Sequence, residues 1–207
     1  AVIDGTSISE NFASQRAGGI YNSGSLELTG DHVDFNEGFT DAGILSSSSL
    51  IMTGTTVHGN YSFAGEGGGV AIRSGTATLD SVSIQDNYAF DSGGGILNEG
   101  DLVFRNGTVS ENRVLRDGGG IENLDDLTLE NATISGNEAP GGFGGGISNR
   151  EASLSVSGST ISGNDAGLNG GGIHSREATL SVSGSTISGN DADGDGGGIS
   201  LRGGTLS

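Results

Sequence analysis

Apolar residues recur along this chain in a fixed order. An aliphatic residue led by glycine stands at Ile20, Ile44, Val70, Ile96, Ile121, Ile147, Ile173 and Ile199, at spacings of 24, 26, 26, 25, 26, 26 and 26. Each is followed by a segment alternating apolar and polar side chains: Leu26 and Leu28, Leu50 and Met52, Ala77 and Leu79, Leu102 and Phe104, Leu127 and Leu129, Leu154 and Val156, Leu180 and Val182. Alternation of period two marks a half-buried strand. Five residues after the second of each pair comes a β-branched position: Val33, Val57, Ile84, Val109, Ile134, Ile161 and Ile187, with Ile8 in the incomplete first repeat. Three residues further on stands asparagine every time, at Asn11, Asn36, Asn60, Asn87, Asn112, Asn137, Asn164 and Asn190. The repeat is sharpest near the end, where the segment Arg150 to Ala166 returns at Arg176 to Ala192 with Thr179 in place of Ser153 as its one change.

Three short strands per repeat of about 26 residues, separated by Gly, Ser, Asn and Asp, leave no room for a helix between strands. The arrangement that gives every repeat the same inward residues is an all-β parallel β-helix, a solenoid in which each strand pairs with its equivalents one coil above and below, about 4.8 Å away. About eight coils make a rod roughly 35 to 40 Å long, right-handed by the usual hand of parallel crossovers. Residues 1–207 then form one β-helix domain, read as an excerpt from a longer array because the chain starts part-way through a repeat and stops at Leu206-Ser207 inside an expected strand.

The asparagines need partners, since a buried amide left unpaired costs on the order of 1 to 3 kcal/mol. Stacked in register, each can bond the next and the turn backbone, which makes the column a structural ladder. The glycine triplets, such as Gly67 to Gly69 and Gly118 to Gly120, lack the strand-then-helix context and the Lys-Ser/Thr of a phosphate loop. Their expected role is a tight corner with positive φ and close approach between coils.

The alternation of glycine-glycine-aliphatic with aliphatic-x-x-asparagine, here GGI or GGV with VDFN, VHGN, IQDN, VSEN and ISGN, resembles the GGA[ILV]/FxxN repeat of the chlamydial polymorphic membrane proteins. Val or Ile stands here where that family has Phe, and the alanine of its first motif is missing. The resemblance covers essentially the whole chain. It implies a secreted right-handed β-helix of the pectin-lyase type, often a cell-surface passenger or stalk and sometimes adhesive.

Composition narrows the partners. Acidic residues number 26 against 8 basic ones, all arginine, for a formal net charge of -18. So anionic a chain repels nucleic acid and acidic membrane surfaces. Cysteine is absent, which excludes disulfides, thiolate catalysis and thiolate metal sites. No apolar run is long enough to insert in a membrane.

Residues that repeat in every coil are scaffold, so chemistry is sought where the repeat breaks. In the corner after the asparagine, Phe39, Tyr61, Phe63, Tyr88 and Phe90 fall on the outside, opposite small inward residues such as Ala89 and Ala139. They form either an exposed patch for sugar rings or a partner subunit, or a satellite core under a folded-over loop. Asp191, Asp193 and Asp195 match the first half of a calcium loop, although Arg202 stands where an EF-hand has glutamate. No cofactor is required on this reading beyond a possible Ca²⁺. Asn106-Gly107-Thr108 and Asn131-Ala132-Thr133 are glycosylation acceptors in an outer turn, while Asn60, which also fits the pattern, belongs to the inward ladder. Arg150-Glu151 and Arg176-Glu177 read as a charge-compensated ladder, and His32, His58 and His174 as surface residues.

The function expected is an extracellular or cell-surface structural or adhesive solenoid without catalytic activity. Its partners would be further copies of itself, end to end or side by side, or surface glycans. The rival is a carbohydrate-active enzyme, a polysaccharide lyase or hydrolase, which requires carboxylates converging on one groove. A lesser alternative is an ice binder, from the hydroxyl face of Ser153, Ser155 and Ser157 above Thr179, Ser181 and Ser183.

Overall fold

The computed structural model describes all residues 1–207 and contains strands and no helix. Four parallel sheets run the length of a β-solenoid of about eight turns, each strand pairing with its counterparts one coil before and after. One coil shows the pattern. Val70–Ile72 lies in sheet D, Thr76–Asp80 in sheet A, Ser83–Gln85 in sheet B and Tyr88–Ala89 in sheet C, after which a glycine corner leads back to sheet D at Ile96–Asn98. The coil therefore holds four strands where the alternation pattern yields three. The fourth, in sheet C, is two residues long, too short for a period-two signal to register.

Register is exact enough that like residues lie over like. In sheet A, Leu50, Ala77, Leu102 and Leu127 pair in succession; in sheet B, Val57, Ile84, Val109 and Ile134 do so. These rows merge into one apolar core of 28 buried residues, with no separate core in any coil. A single coil could not bury enough apolar surface to offset the entropy of its own ordering, so each depends on its neighbours. Phe104, the largest fully buried side chain, shows how a departure is accommodated. The turn residue that follows is Gly107, where an added Cβ would lie 2.7 Å from the Phe104 ring.

The glycine corners behave as expected. Gly118 has φ +69°, and a Cβ on Gly120 would sit 2.6 Å from the Gly146 carbonyl of the next coil and 3.0 Å from the Asn137 amide. The turn before each ladder asparagine also needs a left-handed residue, which is Gly59 or Gly136 in some coils but Phe35, Asp86 and Glu111 in others. The Phe35 ring lies over Gly59 and meets His58 edge-on at 4.9 Å.

Candidate functional site

All eight ladder asparagines line up inside the turn between sheets B and C. Asn87 is typical. Its Nδ2 donates to Asn112 Oδ1 at 3.0 Å and to the Val57 carbonyl one coil back at 3.1 Å, while its Oδ1 accepts from Asn60 N and Nδ2 at 3.0 and 2.9 Å. Asn36 through Asn164 are buried; Asn11 in the first coil is exposed and Asn190 in the eighth half-buried. A second ladder, not anticipated from the sequence, runs inside sheet D: Asn98 Nδ2 donates to Asn123 Oδ1 at 2.7 Å, Asn123 to Asn149 at 2.8 Å and Asn149 to Ser175 Oγ at 3.2 Å. Its signal was the Asn or Ser two residues after the glycine-led aliphatic. Ile72 interrupts it, which weakens the pattern.

Sheet D also carries a row that faces away from the main core, and here the repeat changes character. Leu45, Ala71 and Leu97 form a small buried apolar cluster; continuing in register come Glu122, Ser148 and His174. All three are buried under the glycine corner, and each keeps one side-chain atom without a hydrogen-bond partner: Glu122 Oε2, Ser148 Oγ and His174 Nδ1. Arg150 Nε donates to Glu122 Oε1 at 2.6 Å, with Asp117 3.8 Å from the same guanidinium. Burial pushes the Glu122 carboxyl up to about 8, against the pull of Arg150. Burial likewise lowers the His174 imidazole, which stacks on Phe143 with centroids 4.5 Å apart. His174 is thus not a surface residue. The partner of Arg150 is Glu122 in the preceding coil, whereas Glu151 is exposed and Arg176 lies 3.8 Å from Glu177, too far for a hydrogen bond. A comparable network surrounds Arg73, which reaches Asp41 and Glu66 at 2.8 Å and Glu99 at 3.3 Å.

The aromatic corner lies open. Phe39, Tyr61, Phe63 and Phe90 are 51, 40, 42 and 47% exposed, so no loop folds over them as a satellite core. The rings contact one another along the outside: Tyr61 stacks on Tyr88 at 4.6 Å and meets Phe63 edge-on at 4.9 Å. Phe12, Ser14, Phe39 and Phe63 line a cleft of about 380 Å³. Beyond Leu115 the same columns turn acidic. Asp165 sits between Glu138 and Asp191 in register, and burial with the nearby charges of Asp191 and Asp193 raises its pKa.

Asp191, Asp193 and Asp195 are all exposed and do not converge on a common ligand position. Residues two apart in an extended segment share a face but stand about 6.6 Å from each other, and the chain, extended at the strand Asp191–Ala192, does not curl to gather the three carboxylates. The carboxylates that do converge are the exposed Asp101, Asp125 and Asp126, whose oxygens lie within 4.8 Å of one another in the turn between sheets D and A. Hard oxygen donors at that spacing fit a surface Ca²⁺. Along the same turn, Asp125, Asp126, Glu151 and Glu177 line a groove of about 290 Å³, adjoining one formed by Leu124, Arg150, Glu151 and Arg176. Asn106 and Asn131 are exposed with φ near +50°, in an outer turn, and Asn60 is buried in the ladder. The sheet A hydroxyl face spans Ser153–Ser157 and Thr179–Ser183 in register; sheet B carries a longer one, Thr108, Thr133, Thr160 and Thr186 with their following serines.

Fold and ladders together define a parallel β-solenoid. Compared with family models, with curated proteins and with solved structures, the chain matches none. No helix of the chain is long and apolar enough to cross a membrane.

Proposed function

We propose that this chain is an extracellular structural or adhesive β-solenoid, a stalk, passenger or fibre component that holds an aromatic face and acidic faces out towards a partner surface. The observation that carries the reading is where the departures from the repeat fall. The core rows and the asparagine ladder pass through every coil, while Phe39, Tyr61, Phe63 and Phe90, which break the pattern, stand outside at 40% exposure or more, with Tyr88 half-buried beside Tyr61. Exposed aromatics gathered in one place mark an interaction surface rather than a solvated face. The excess of acids and lack of lysine suit an exterior where cations screen self-repulsion. The test is binding of the purified chain to cell surfaces and immobilised glycans, beside electron microscopy of native material. Surface-attached rods or fibres, with binding weakened by Tyr61→Ser, support the role; soluble intracellular material that binds neither overturns it.

A second reading, a carbohydrate-active enzyme, is favoured by the groove over Asp125, Asp126, Glu151 and Glu177 beside Arg150 and Arg176. Carboxylates and a guanidinium in one groove are what acid-base cleavage of an acidic polysaccharide needs, with Asp101, Asp125 and Asp126 as the place for Ca²⁺. Release of unsaturated or reducing ends from such polymers would establish it, and their absence across a substrate panel would remove it. The ice-binding alternative rests on the hydroxyl rows of sheets A and B and falls if freezing shows no thermal hysteresis.

A further inference from the structure

We propose that the aromatic strip of coils two to five is a self-association surface on which a second copy of this chain docks antiparallel, side by side. The inference rests on the structural-adhesive role and names its partner. Glu37, Tyr61, Tyr88 and Arg113 follow one another in register on four successive coils, a column with a carboxylate at one end, a guanidinium at the other and two stacked aromatic rings between. Beside it runs the column Phe39, Phe63, Phe90 and Leu115. Five of the thirteen exposed large hydrophobic residues of the molecule belong to this block.

The block is self-complementary under a two-fold axis perpendicular to the rod. Turned antiparallel, Tyr61 and Phe63 of one copy meet Tyr88 and Phe90 of the other, and Glu37 meets Arg113. Parallel alignment would put Glu37 on Glu37 and Arg113 on Arg113. Within one chain the two charges are three coil rises apart, about 14 Å, and cannot pair. The present partner of Arg113 is Glu138 at 2.9 Å with both side chains about half exposed, a contact that exchanges at little cost. A glycan fits less well, because sugar hydroxyls need hydrogen-bond partners and the cleft beside Phe39 and Phe63 offers only Ser14. Aromatic rings with an arginine at the rim match the composition of protein interfaces.

Sedimentation velocity of the 207-residue chain over a concentration series tests this, at about 0.3 M salt so that repulsion between two chains of net charge -18 is screened. The wild type is expected to dimerise. Phe63→Ser and Phe90→Ser should each weaken the Kd about tenfold or more, about 1.4 kcal/mol. Glu37→Arg and Arg113→Glu should each weaken it alone and restore it together. These side chains are exposed, so unchanged circular dichroism and melting will confirm that the variants fold. A wild type that stays monomeric, or a dimer indifferent to both serine variants, overturns the proposal. A monomer that still binds cell surfaces or glycans would leave the adhesive role standing, which separates the two failures.

Discussion

Asn112 and Asn137 are joined twice: the backbone N–H and the side-chain Nδ2 of Asn112 both donate to Asn137 Oδ1 at 3.0 Å. Asn112 also accepts both donors of Asn87, at 3.0 Å each. Replacing it with Ala therefore orphans buried groups on two neighbouring coils. Each costs on the order of 1 to 3 kcal/mol, so Asn112→Ala should destabilise by about 3 kcal/mol or more in urea unfolding. Asn11→Ala, in the exposed first coil, should cost clearly less.

Glycine positions separate by what surrounds them. Gly120→Ala would press a methyl to 2.6 Å from a backbone oxygen, and should lower stability by more than about 1 kcal/mol. Gly24→Ala, with nothing within 4 Å, should fall within about 0.5 kcal/mol of wild type. Equal melting temperatures for the two variants would contradict the close coil-to-coil approach.

Arg73 holds Asp41, whose side chain is only 3% exposed, together with Glu66 and Glu99. Arg73→Met would leave three clustered carboxylates, one of them buried, without a counter-charge. A loss of about 3 kcal/mol or more is expected. Arg73→Lys should recover part of it, since an ammonium keeps the charge but cannot span all three acids. Chemical unfolding of the two variants checks the order.

Glu122 should make stability depend on pH. Its folded pKa of about 8 lies above the ordinary 4.5, so between these values the folded state binds more protons than the unfolded one. Stability from this group is therefore full below pH 4.5 and declines as pH rises towards 8. His174 acts oppositely: its lowered pKa means stability is lost as pH falls below about 6.5. Denaturant unfolding from pH 5 to 8 should show a weaker decline with rising pH in Glu122→Gln than in wild type.

The repeat, the inward rows and the asparagine ladder were legible because every coil restates them. Sheet C is not legible in the sequence, since strands such as Tyr88–Ala89 are two residues long and carry no period. The polar row Glu122, Ser148 and His174 is illegible for the opposite reason: its residue type changes from coil to coil, so that His174 reads as a surface residue, and only register shows that the three stand where Leu45, Ala71 and Leu97 stand in earlier coils. The outward placement of Phe39, Tyr61 and Phe63 followed from alternation, but their exposure depended on whether the corner folded over them, which local sequence does not specify. The calcium motif at Asp191 had ligand spacing without the turn that would gather its oxygens, while Asp101 and Asp125, on adjacent coils, have spacing that no linear motif describes.

The backbone hydrogen bonds of all four sheets point along the length of the molecule, joining each coil to the next. Tugged apart by its two termini, such a molecule yields from an end, one turn peeling away while the rest stays intact. Each turn releases about 26 residues, roughly 85 to 95 Å of extended chain. In an optical trap the molecule should pay out in near-equal steps of that size, lengthening several-fold before it is fully drawn out, as a tether that absorbs shock does.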